Sequence, residues 1–248
     1  MRYKVLAAVV LLLFAQGGCS RKNRSNETGA EAPLSGGNSV ENNRAQARIY
    51  LDKGKELYRN DEDTQAIEAF REAIKFDPEL AEAHFRLALS YDALGRQQEA
   101  EEAYKKAVET YKRFFEADEN KEDGEAHYNL GQTYAGLHLY SEAVREYRQA
   151  TRLRPDDASI YYDLGLALMR LAQYDEAVAA FSKSLELDPE NFRAEDELEE
   201  AREGVKRIRV GKKHQEDLLK KKKEEELKKL EESGATPQVT PPGTKRPF

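Results

Sequence analysis

The chain has 248 residues, of which 35% are charged and 39% hydrophobic, and a formal net charge of −7. That acidic balance excludes general nucleic-acid binding, which needs a basic footprint, and a single cysteine excludes an internal disulfide. The composition is polar for one round core but suits an elongated all-helical shape whose core is thin.

Residues 1–18 read as an export signal. Met1-Arg2-Tyr3-Lys4 is basic, and Val5 to Ala15 is an apolar run too short for the roughly 20 residues of a membrane-spanning helix but right for the middle of a secretory signal. The run ends in Gln16-Gly17-Gly18-Cys19. Small residues before a cysteine resemble a bacterial lipoprotein signal, although Gln16 stands where that pattern prefers an aliphatic or small residue. The resemblance implies lipidation of Cys19, which becomes the mature N-terminus and ties the protein to a membrane. Ser20 is not the Asp associated with inner-membrane retention, so the resemblance favours the outer membrane, facing the periplasm.

From Cys19 to residue 46 the chain is rich in Asn, Ser, Gly, Glu and Arg. It has too little apolar surface to offset the entropy of ordering, and we expect a flexible linker. Asn23 and Asn26 match the glycosylation pattern, which chance explains in such a stretch.

The following segment repeats itself with a period of 34 residues. Gly165 lies 34 residues after Gly131, and each is followed at +12 by alanine (Ala177, Ala143), at +16 by an aromatic (Phe181, Tyr147), and later by proline (Pro189, Pro155). Gly54, Ala66, Phe70 and Pro78 fit the same frame, as do Ala88, Ala100 and Tyr104, where Lys112 replaces the proline. Four copies result: 47–80, 81–114, 124–157 and 158–191. Each reads as two helices with a turn, at Asn60-Asp61, Gly95-Arg96, His138-Leu139 and Ala172-Gln173. Thr64, Ser141 and Asp175 are candidate N-caps for the second helices. Small residues at Gly54, Ala66, Ala88, Ala100, Gly131, Ala143, Gly165 and Ala177 let two helix axes approach closely, and Asp77-Pro78, Arg154-Pro155 and Asp188-Pro189 end the second helices, because the residue before proline is pushed out of the helical region.

This frame resembles the tetratricopeptide repeat, over about 136 of the 248 residues. The resemblance implies an all-α fold: an α-solenoid of four helix–turn–helix repeats with a concave groove lined by the first helices. It also implies a protein or peptide ligand, with the groove formed by Arg48, Leu51, Lys55, Phe85, Arg86, Leu89, Tyr128, Asn129, Gln132, Tyr162, Asp163, Leu166 and Arg170. Some family members grip a C-terminal carboxylate with a Lys/Asn/Arg clamp. Only Asn129 fits it, and Leu51 stands where a lysine is wanted, so an apolar peptide is the better expectation. The aromatics Phe85, Tyr128 and Tyr162 are open to two readings, ligand anchors or packing between neighbouring first helices. Lys53 replaces the leucine of the other copies (Leu87, Leu130, Leu164), as a terminal repeat allows. Residues 115–123 interrupt the array, with the preceding helix expected to lengthen and Phe114-Phe115 to pack beneath it.

Nothing points to catalysis or to a cofactor or metal. His84, His127, His138 and His214 show no i, i+4 metal-binding pair, and there is no phosphate-binding glycine loop. Residues 192–209 read as a capping helix using Phe192, Leu198, Val205 and Ile208. Gly211 permits a break before a charged helix over 210–232, in which Leu219, Leu227 and Leu230 are too sparse for a sustained heptad seam. Its lysines, 220–223, are either a solvated face or a basic patch. Residues 233–248 are Pro/Thr-rich and expected to be disordered. Two functional readings stand: a membrane-anchored adaptor for an envelope assembly, and a structural envelope protein acting through self-association and its charged tail.

Overall fold

The computed structural model describes residues 36–116 and 122–233. The export signal, Cys19, most of the linker and the C-terminal tail lie outside the described residues. Nine helices are present among the described residues, with no strand: α1 (Gly36–Arg59), α2 (Asp63–Phe76), α3 (Ala81–Ala93), α4 (Gln97–Phe114), α5 (Gly124–Gly136), α6 (Tyr140–Leu153), α7 (Ala158–Arg170), α8 (Tyr174–Leu187) and α9 (Phe192–Glu232). Each helix packs mainly on its sequence neighbours, so the chain stacks as antiparallel pairs, α1/α2 through α7/α8, closed by α9 on α8.

The pairs are locked by a ring set against a missing side chain. A methyl group added at Gly165 would sit 2.5 Å from the Phe181 ring, and one at Gly131 2.6 Å from the Tyr147 ring; Gly54 faces Phe70 in the same way. Ala66, Ala143 and Ala177 are fully buried beside these crossings. In the second pair Ala88 stands in the glycine position, and the Tyr104 ring closes instead on Gly136 of α5, 2.5 Å from where a Cβ there would lie. Its hydroxyl donates to Asp92 Oδ2 at 2.7 Å.

The turns inside the pairs share one device. Asp61, Gly95, His138 and Ala172 take positive φ values of 60°, 68°, 59° and 56°, so each first helix ends in a left-handed residue. Second helices end at Phe76, Leu153 and Leu187, immediately ahead of the X-Pro dipeptides.

Four expectations are corrected. Thr64, Ser141 and Asp175 are not N-caps: those positions are Glu62, Leu139 and Gln173, with no side-chain cap bond. The left-handed turn already fixes entry there. Side-chain caps occur instead on later first helices and on α9, where Asp123, Asp157 and Asn191 accept from Ala126, Ser159 and Ala194. The flexible linker does not reach residue 46, because α1 starts at Gly36. Once α1 is nucleated by packing on α2, each added residue gains a backbone bond without a new nucleation cost. Gly211 does not break the last helix. One glycine costs about 1 kcal/mol, too little to interrupt 41 residues of mostly good helix formers. Finally, Phe192 is 75% exposed and Ile208 is exposed too. The face that seals α8 is Ala194, Leu198, Ala201 and Gly204, at the i, i+4, i+7 spacing of one helix side.

At the interruption, α4 runs four residues longer than α2, α6 or α8. Phe115 stacks on the His127 ring at 4.3 Å and meets Phe114 edge-on at 5.4 Å. Lys53 is exposed, whereas Leu87, Leu130 and Leu164 are buried between repeats.

Candidate partner-binding groove

The first helices present the expected lining residues very unequally. Arg48 and Arg170 are exposed; Lys55, Arg86, Leu89, Tyr128, Gln132, Tyr162, Asp163 and Leu166 are half-buried. Leu51, Phe85 and Asn129 are buried and line no groove. Phe85 is covered by its own neighbour, the Arg86 guanidinium lying 5.3 Å above its ring. Asn129 is buried and Leu51 stands in the lysine position, so neither offers a polar group to the groove.

The N-terminal half of the groove is internally neutralised. Glu82 of α3 sits between two cations, 3.0 Å from Lys55 of α1 and 3.3 Å from Arg86 one turn along. That bridge ties the first two repeats across the groove.

The C-terminal half is different. Tyr128 and Gln132, one turn apart on α5, face Asp163 on α7. The Tyr128 hydroxyl donates to Asp163 Oδ2 at 2.8 Å, and Gln132 Nε2 donates to the same oxygen at 3.0 Å and to the Tyr128 hydroxyl at 3.0 Å. Burial pushes the Asp163 carboxyl above its ordinary value, the two donors only partly offsetting it, and burial beside that carboxylate pushes the Tyr128 phenol up. A recess of about 300 Å³ opens here, lined by Gln132, Ala135, Tyr140, Tyr147, Asp163, Leu166, Ala167 and Arg170. Its polar lining could not be read from the repeat frame alone, because Asp163 and Gln132 are brought together only by the stacking of α7 on α5.

Tyr128 and Tyr162 combine both readings of the aromatics. Tyr128 leans on Tyr147 with centroids 6.0 Å apart, Tyr162 on Phe181 at 5.9 Å, and both keep part of their surface open.

The four histidines do not converge. His84 Nε2 lies 2.9 Å from the Pro78 carbonyl, and burial lowers its pKa despite that bond. His127 Nδ1 lies 2.8 Å from Glu146 Oε2. Burial alone would raise the Glu146 carboxyl, but the bonds from His127 and Arg145 hold it below the ordinary carboxylate value. His138 meets the Tyr140 hydroxyl at 2.9 Å, and His214 is on the exposed part of α9. Among the described residues, no group of three or more His, Cys, Asp or Glu could hold a metal ion, and no helix is long and apolar enough to cross a membrane.

Models of one repeat family match most of the stacked region. Two described as "Tetratricopeptide repeat" match residues 128–192 and 81–114, and one described as "TPR repeat" matches 54–95. Together these cover residues 54–114 and 128–192, just over half of the chain. No curated protein matches. Among solved structures, PilF of Pseudomonas aeruginosa aligns with a TM-score of 0.52 at 22% identity, over 73% of this chain and 78% of its own. MamA AMB-1 aligns with a TM-score of 0.51 at 22% identity, over 73% of this chain and 98% of its own. Both likenesses are of fold.

Proposed function

From the premise that this chain belongs to the tetratricopeptide-repeat family, we propose that it is an adaptor that takes a segment of a partner protein into the C-terminal half of its concave groove. The recess between α5 and α7 carries this reading. It pairs apolar surface, from Leu166, Ala167 and the rings of Tyr140 and Tyr147, with fixed polar groups at Gln132 and Asp163, and the half-buried Tyr128 and Tyr162 stand on the same first helices. A few convergent polar groups on an apolar wall are what peptide recognition requires. The half-buried aromatics are stiff, large contact surfaces of the kind that dominate interface energies.

The sequence at Cys19 supports an N-terminal lipid anchor, placing the solenoid at the periplasmic face of a bacterial outer membrane, where the partner is a component of an envelope assembly. A photo-crosslinking residue in place of Tyr162 tests the groove in living cells. Adduct to a discrete partner is expected there and not when the same crosslinker replaces Arg148 on the outer face. Adduct from the outer face alone would remove the groove reading. For the anchor, Cys19→Ser should abolish fatty-acid labelling and membrane fractionation together. A version ending at residue 209 should keep the Tyr162 adduct; if it loses the adduct, binding resides in the charged end of α9.

A further inference from the structure

Asp163 is an uncompensated carboxylate on a half-buried wall. Both of its protein donors, Tyr128 and Gln132, converge on Oδ2. Oδ1 receives no donor from the described residues, and Asp163 lines the open recess. Arg170 lines the same recess but is exposed and makes no ion pair with Asp163, and no other cation among the described residues stands within salt-bridge distance. Glu82, on the same face two repeats earlier, has two.

Removing a carboxylate from water without a counter-charge is costly. The hydrogen bonds that join α5 to α7 do not explain the charge, since an asparagine oxygen would accept the same two donors without it. The cost makes sense if the charge is used when the groove is filled. Leu166, one turn along α7, gives the same recess an apolar wall. A long aliphatic stem could lie along that wall with its cationic head at Oδ1, as lysine and arginine side chains do.

Resting on the adaptor reading above, we propose that the partner segment inserts a lysine or arginine side chain into this recess, with its charged head on Asp163 and its stem against Leu166. Asp163 is then the specificity-determining residue: a neutral side chain of equal length leaves the carboxylate buried and unpaired, and an acidic one is repelled.

The test is selection of a random-sequence peptide library displayed on phage against the purified chain and against D163N. Asparagine keeps the ties to Tyr128 and Gln132, so the variant is expected to fold and to unfold at a temperature equal to or above that of the parent. Peptides recovered on the parent should be enriched in lysine or arginine over the input library. Replacing that one residue by norleucine or citrulline should weaken binding about tenfold or more, and the parent peptide should lose the same factor on D163N, as removal of one member of a desolvated charge pair does. Leu166→Trp, which fills the recess with neutral bulk, should block all of them. Peptides that Leu166→Trp blocks but that lack a basic residue, or that bind D163N as well as the parent, would overturn the assignment of Asp163 and leave the groove itself standing. If the library yields no peptide that Leu166→Trp blocks, the groove reading falls and this assignment falls with it.

Discussion

Gly165→Ala should destabilise the chain, although alanine is the better helix former. The methyl group adds helix propensity worth about 1 kcal/mol. Against this, its carbon would lie 2.5 Å from the Phe181 ring, where carbon atoms ordinarily rest about 3.5–4.0 Å apart. The ring must therefore retreat by about 1 Å, and it is fully buried. Overpacking of that kind costs about 1–3 kcal/mol, so the net loss is about 1 kcal/mol and the melting temperature falls by about 2–4 °C for a chain of this size. Circular dichroism during thermal and urea unfolding reads both. The discriminating variant is Phe181→Leu, which removes the ring. In that background Gly165→Ala should be neutral or stabilising, a coupling of at least about 1 kcal/mol between the two positions. If Gly165→Ala stabilises the parent, or costs the same with and without the ring, close approach is not why glycine stands there.

The other outcomes concern the turns, the last helix and pH. Ala172→Gly should stabilise by roughly 0.5–1 kcal/mol, because alanine at φ 56° strains the backbone by more than glycine adds in chain entropy; urea midpoints decide it, and a loss would mean that the turn is held by contacts at the methyl. Gly204→Val should cost about 1–3 kcal/mol by driving a side chain into the Tyr174 ring, and hydrogen exchange along residues 192–209 should rise before that of α5. His84 is buried with its pKa lowered below 6.5, so the unfolded chain binds the proton first. Stability is full above pH 6.5 and declines as the pH falls below it. His84→Gln should flatten that decline relative to the parent, and an unchanged slope would refute the assignment.

The repeat was legible because its physics is local and periodic. Gly54, Gly131 and Gly165 each precede an aromatic at a fixed offset, and the rings lie on those glycines. Proline after the second helices marked their ends for the same reason. What the frame does not encode is how each position is covered, by an adjacent side chain or by another helix. Phe85 occupies the position of the half-open Tyr128 and Tyr162 but is buried under Arg86. Gly136 and Gly204 carry no repeat signature, yet each receives a tyrosine ring from another helix. The pairing of Gln132 with Asp163 follows from stacking across repeats, which spacing within one repeat does not encode. The uninterrupted last helix rests on the summed propensity of its 41 residues, which the single glycine at 211 does not outweigh.

The last helix has a consequence for reach. Residues 205–232 continue past the seal on α8 as exposed helix, and at 1.5 Å per residue they form a boom of about 40 Å. Whatever is joined to its far end is held at arm's length from the solenoid rather than wandering around it. Shortening the boom by whole turns would draw that far end inward by about 5 Å at a time while leaving its rotational setting nearly unchanged.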